Sequence, residues 1–163
     1  QALQLYKTSY ARFKAQEKLD EAEQLITDGA AAMARRKELN AATELGVLLV
    51  ESFEENSRPV QEKYLKQLQS VADAWPCPGI ELSAVAWAGG SAELAAKDLR
   101  VRLARAYLVT DDYGGAARNF ATAGAGAVAE YATVLRDWSR MGYKSERDLF
   151  LCRAVLHVLS LNR

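Results

Sequence analysis

Histidine, cysteine and proline are scarce in this chain: one His, two Cys and three Pro in 163 residues. His157, Cys77 and Cys152 lie far apart and in no metal-ligand spacing, which excludes a structural zinc site; no metal and no cofactor are expected. Nothing calls for a disulfide between the two cysteines, although the sequence leaves one open, and this usage suits a reducing compartment. No run approaches the ~20 apolar residues that span a bilayer. Lys7 and Arg12 interrupt the N-terminal stretch, so there is no secretory signal core. Neither sign of charge is in excess, with 21 Lys+Arg against 21 Asp+Glu. That argues against a general nucleic-acid binder and against direct membrane insertion. The chain therefore reads as a cytoplasmic protein. It opens in what reads as mid-helix, so a fragment of a longer protein is expected.

Helical punctuation is abundant. In the stretch 103–123, Tyr113, Ala116, Phe120 and Ala123 follow Y-x-x-A-x-x-x-F-x-x-A. Steps of three and four put all four on one helical face. The small residues admit a neighbouring helix and the aromatics fill the space beside them, as do Ala104 and Tyr107 on the preceding helix. Thr110-Asp-Asp-Tyr113 followed by Gly114-Gly115 reverses the chain, with Asp112 placed to cap the second helix. This is a tetratricopeptide-type hairpin. Leu19, Ala22, Ile26 and Gly29 repeat the pattern, so residues 3–35 form a second copy. Phe13 precedes Leu19 by six positions, as Tyr107 precedes Tyr113. A weaker third copy carries Leu39, Ala42, Gly46 and Leu49, in a helix over about 40–53 whose apolar face is read as Ala41, Leu45, Leu48 and Leu49.

Breaks define the rest. Ser57 and Pro59 are expected to open a helix carrying Val60, Tyr64, Leu68, Val71 and Ala72. It must stop near Trp75, before Pro76-Cys77-Pro78-Gly79. A short helix over 80–88 ends at Gly89-Gly90, and Ser91 is read as the cap of the next, whose inner face is Leu94, Leu99, Leu103 and Tyr107. Gly124 to Gly126 forms a corner. A helix over 128–141 with Tyr131, Val134, Leu135 and Trp138 ends in a glycine stop at Gly142-Tyr143. Ser145 and Asp148 suggest a capping box. The last helix, 149–161, is apolar over a wide arc and is expected to be buried on two sides. About nine helices and no strand give an all-α fold, an α-solenoid of tetratricopeptide-like hairpins in one domain over 1–163, with 75–79 as its softest joint.

No catalytic motif is present. Gly89-Gly90-Ser91 lacks the Lys-Ser/Thr and the leading strand of a phosphate loop. His157 has no Ser, Cys or Asp at triad-like spacing, and Cys152 falls on another side of its helix; a structural histidine and a small core cysteine are the simpler readings. Cys77 reads as a loop thiol, and Trp75, Trp87 and Trp138 as packing. Two charge patterns rise slightly higher. Glu44 and Glu51 are two helical turns apart on one face, extended by Glu55. An ordinary solvated face is the plainer account; the functional one is an acidic stripe that meets a basic partner. Lys97, Arg100, Arg102 and Arg105 form the second, either solvated charge or the groove of a generic helical-repeat module that captures an acidic peptide.

Read together, several stretches resemble one family, the Golgi to ER traffic protein 4 scaffolds of tail-anchored membrane-protein targeting. The densest likeness is Gly142-Tyr-Lys-Ser-Glu-Arg-Asp-Leu-Phe150, with Ala154-Val-Leu156 and Leu159-Ser-Leu161 after it. Ala2-Leu-Gln4, Tyr6-Lys-Thr8, Glu21-Ala22, Asp28-Gly-Ala30, Ala41-Ala-Thr-Glu-Leu45 and Leu49-Val-Glu-Ser52 continue it in one register. The resemblance implies an all-helical, non-enzymatic adaptor in which N-terminal helices hold the tail-anchored protein targeting ATPase. By the same resemblance the chain is expected to lack a first helix and a C-terminal half, which would hold a ubiquitin-like-domain partner linked to an upstream chaperone. It also places Glu44 and Glu51 where the family faces and regulates the ATPase, and Gln4 and Lys7 on matching polar positions. Leu3 stands where relatives often have His. Ala96-Lys97 replaces a family His-Pro, so that helix is expected to start earlier here.

Overall fold

A computed structural model describes residues 2–89 and 93–161. Among the described residues there are nine α-helices and no strand, the all-α hairpin architecture expected from the periodicity. The chain divides into two compact units, Gln1–Ala92 and Glu93–Arg163. The joint expected at 75–79 therefore lies inside the first unit, and Pro78 and Gly79 already belong to its last helix. The first unit holds α1 (Ala2–Ala15), α2 (Leu19–Arg35), α3 (Leu39–Glu55), α4 (Glu62–Ala74) and α5 (Pro78–Ala88). The second holds α6 (Glu93–Val109), α7 (Tyr113–Thr122), α8 (Val128–Met141) and α9 (Arg147–Leu161).

Four helix ends close in the same way. Glu17, Lys37, Ser57 and Asp111 take left-handed backbone angles, φ 59°, 63°, 50° and 58°. The next amide then donates to the carbonyl five residues back: Lys18 to Phe13 at 3.0 Å, Glu38 to Met33 at 3.0 Å, Arg58 to Phe53 at 2.8 Å and Asp112 to Tyr107 at 2.9 Å. This is the Schellman closure, which satisfies carbonyls left open at a helix end. It explains the six-residue step from Phe13 to Leu19 and from Tyr107 to Tyr113. It also corrects the reading of Ser57. That residue ends α3 and does not cap α4, which starts only at Glu62 after an extended Gln61. Asp112 caps α7 as expected, accepting from the Gly115 amide at 2.8 Å.

In the first unit α2 packs on α1, α3 and α4, and α5 packs on α3. Ala22, Ile26 and Ala30 of α2 and Ala42, Leu45, Leu49 and Phe53 of α3 are buried. The buried face of α3 is thus rotated from the expected one: Ala41 and Leu48 are only half-buried. Space at two crossings comes from missing side chains. A Cβ on Gly29 would stand 2.7 Å from the Tyr6 ring, and one on Gly46 would stand 2.4 Å from Ile80 Cδ1. Phe53 then gathers Tyr64 and Trp87, with ring centroids at 5.0 and 5.2 Å.

Two buried glutamates, Glu23 and Glu81, were invisible in the pattern. Glu23 lies on the inner face of α2, fully buried. Arg58 reaches it through Nε at 3.0 Å, and holds Asp20 through Nη2 at 2.7 Å. The same guanidinium sits 5.4 Å from the Tyr64 ring centroid, and Trp87 Nε1 donates to the Arg58 carbonyl at 3.2 Å. The Arg58 segment is therefore a strap tying α2, α4 and α5 together.

In the second unit α6 begins at Glu93, ahead of Ala96-Lys97, as the missing His-Pro led one to expect. Leu99 and Leu103 are buried and Tyr107 half-buried; the Ser91 cap and the Leu94 side chain lie outside the described residues. Ala116, Ala117, Phe120 and Ala123 line the buried side of α7. Gly124, at φ 90°, starts a 3-10 corner over Ala125–Ala127, and Phe120 stacks on Tyr131 at 6.4 Å.

Three readings need correction here. Gly142 is extended, φ −87° and ψ −176°, so α8 has no left-handed glycine stop. Ser145 lies inside a 3-10 turn, Lys144–Glu146, and α9 starts after it. Finally, α9 is not buried on two sides. It rests on α7 and α8 through Ala154 and Phe150, while Leu149, Leu151, Leu156 and Leu159 are about 60% exposed. Two helices cover one strip of a third, and among the described residues of this unit nothing lies over the rest.

Three outcomes follow for urea unfolding. Lys37→Gly relieves a left-handed, exposed lysine and should stabilise the first unit by about 1 kcal/mol. Gly29→Ala improves helix propensity, yet its methyl meets the Tyr6 ring, so a net loss of about 1–3 kcal/mol is expected. Arg58→Ala strands the Glu23 carboxylate and should cost about 3 kcal/mol, part of which Glu23→Gln in the same chain restores.

Candidate functional site

Helix α1 rises against α3, and the two faces are charged toward each other. On α1, Lys7, Tyr10 and Lys14 follow helical steps of three and four. On α3, Glu44, Glu51 and Glu55 share the outward side, because Ala42, Leu45 and Leu49 turn inward. Lys7 pairs with Glu44 at 2.5 Å, and Lys14 pairs with Glu55. The hydrogen bond that Lys14 donates to Glu55 is the main cause that holds its ammonium above the ordinary lysine value, against partial desolvation.

Between these two pairs runs an open groove of about 480 Å³. Its floor is Tyr10, Val47 and Leu48, and its polar walls are Lys7, Thr43, Glu44 and Glu51. Of the residues singled out in the sequence, Lys7, Glu44 and Glu51 thus meet at one place. Gln4 does not line the groove; it stands exposed on α1 one turn before Lys7. Among the described residues Glu51 has no cationic partner, so it presents an open carboxylate to solvent. Leu3 is half-buried at the same end of α1. The groove floor was legible only in part: the sequence pattern puts Leu48 on the apolar face of α3, whereas it lines the groove.

Burial decides what these pairs are for. Both sides of the Lys7–Glu44 pair are well exposed, 38% and 53%. Such pairs contribute about 0–1 kcal/mol to stability. A partner that supplies its own cation therefore exchanges for Lys7 at little cost. The Arg58–Glu23 pair, with Glu23 wholly buried, has no such freedom.

The second charge pattern disperses. Arg105 makes a two-pronged contact with Glu130 at 2.8 and 2.9 Å, and Arg100 reaches Thr122 at 3.4 Å. The Arg105 hydrogen bonds hold the Glu130 carboxyl below the usual range. Arg100 and Arg105 thus each have a partner on a neighbouring helix.

No described group of three His, Cys, Asp or Glu side chains is disposed to hold a metal ion. His157 lines a hollow between α7, α8 and α9, but Cys152 is exposed outside that lining, so the two do not form a pair. Cys77 is a free thiol whose Sγ lies 3.3 Å from Thr43 Oγ1. Trp87 and Trp138 pack on Phe53 and Phe150, as expected of aromatics at helix ends. No described helix is long and apolar enough to cross a membrane.

The chain is 28% identical over 167 residues to the Golgi to ER traffic protein 4 homolog of Oryzias latipes, and 29% identical over 167 residues to that of Homo sapiens. Each alignment covers 99% of this chain and 51% of the relative, so the chain spans about half the length of the curated relatives it matches. The crystal structure of C. therm. Get4 shares the fold, with a TM-score of 0.83 at 17% identity, over 98% of this chain and 53% of that one. The family model described as Golgi to ER traffic protein 4 matches residues 16–163. A match across that much of the sequence settles the assignment: the chain belongs to the Golgi to ER traffic protein 4 family.

Proposed function

We propose that this chain is a non-catalytic scaffold of ER-directed traffic and that the α1–α3 groove docks the tail-anchored protein targeting ATPase. The observation that carries the proposal is the convergence of Lys7, Glu44 and Glu51 on one exposed groove. Glu51 offers a carboxylate with no cationic partner, and Glu44 offers one whose lysine is readily exchanged. Tyr10, Val47 and Leu48 give the aliphatic stem of an incoming Lys or Arg a surface to lie on. The partner surface that fits is basic, with long side chains. Contacts of this kind set orientation and association rate. Gln4, exposed one turn away on α1, extends the same face.

In this reading the scaffold favours the nucleotide-bound ATPase and restrains hydrolysis until a client is loaded. The ubiquitin-like-domain partner would bind in the half of the relatives that this chain does not span. No nucleic acid takes part, and the scaffold works from the cytoplasmic side without inserting into the membrane.

Charge reversal tests the groove. Glu44→Lys with Glu51→Lys should weaken binding of the ATPase at least tenfold, about 1.4 kcal/mol, and relieve the restraint on turnover. Both positions are exposed, so circular dichroism should be unchanged. Unchanged binding together with unchanged turnover would remove the groove from the interface.

A further inference from the structure

The second unit contains a hollow that the ATPase-docking reading does not use. It lies between α7, α8 and α9 and measures about 360 Å³. Ala117 and Ala154, both buried, leave its floor low. Trp138 and Phe150 form one wall, edge to face at 5.0 Å. Arg118 from α7 and Arg153 from α9 stand at its rim, both exposed. Among the described residues neither arginine has an acidic partner, and no acidic side chain lines the hollow.

Other guanidinium groups are engaged within the fold. Arg105 is committed to Glu130, Arg58 to Glu23 and Asp20, and Arg140 to Asp137. Two uncommitted guanidinium groups beside an aromatic wall match an anion joined to an apolar group. A guanidinium takes a carboxylate in two parallel hydrogen bonds, and does so best where water is partly excluded. The volume is at the small end of ligand pockets, room for about one large apolar side chain. Phosphate alone would leave the aromatic wall unused, and a purely apolar segment would leave the arginines without counter-charge.

We infer that the α7–α9 hollow is a docking site for an acidic peptide segment of a partner protein, with a bulky apolar side chain against Trp138 and Phe150 and flanking carboxylates on Arg118 and Arg153. The site stands on residues separate from those of the α1–α3 groove, so each is tested without the other.

The probe is a fluorescein-labelled peptide with a Leu-Phe pair between two runs of three glutamates. Fluorescence polarisation against the intact chain should give saturable binding in the tens of micromolar range, weakening as salt rises. Binding should fall at least tenfold in Arg118→Glu and in Arg153→Glu. The same peptide with Gln for Glu, and the one with Ala-Ala for Leu-Phe, should each bind at least tenfold more weakly. Loss through Gln alone, with Ala-Ala unaffected, would reduce the site to a general anion patch and overturn the inference. So would no saturable binding, or equal binding by the arginine variants. ATPase binding should be unchanged in both variants; a loss there would merge the two surfaces and overturn the separate site.

Discussion

The seating of α1 on α2 rests on a side chain that is not there. The Tyr6 ring lies against Gly29, and a single methyl group at that position would stand inside the ring's contact distance. Everything proposed for the first unit depends on this approach. Tyr6 precedes Lys7, so the depth at which the ring sits sets where the lysine emerges. With α3 also packed on α2, Lys7 then meets Glu44, and Lys14 meets Glu55. Ile80 over Gly46 does the same for α5 on α3. Close-packed interiors transmit such constraints because they have little free volume to absorb a misfit.

Electrostatics are divided by depth. Glu23 is wholly buried and is held by Arg58, whose backbone and ring contacts lock the segment before α4. A charge pair in that position is costly to break and useless for recognition, since no partner can reach it. Lys7 and Glu44 are the opposite case. Their pair adds little to stability, and it is accessible. The weak surface pair, not the strong buried one, is open to exchange with an incoming charge.

The same contrast orders the second unit. Arg105 is neutralised by Glu130 within the fold, whereas Arg118 and Arg153 stand exposed over an aromatic hollow and pair with no acid among the described residues. The exposed leucines of α9 show that its broad apolar arc exceeds what α7 and α8 can cover.

The amino-acid order alone determined the hairpins. Tyr113, Ala116, Phe120 and Ala123, and their counterparts Leu19, Ala22, Ile26 and Gly29, announce close-packed helix pairs because packing of this kind demands small residues at fixed helical steps. It also brought out Glu44 and Glu51 as one row, since residues seven apart share a helical face. It did not show that Ser57 would close α3, because a non-glycine left-handed turn is chosen by the hydrogen bonds around it and not by the residue itself. Nor did it show that Glu23 would be buried: its partner Arg58 is 35 positions away and reaches it only once α2 and the Arg58 segment lie together. The α9 arc was misread for the same reason, as periodicity reports how much apolar surface a helix has and not how many neighbours it finds. Which helices meet, and so which charges end as anchors and which as open ends, only the tertiary structure decided.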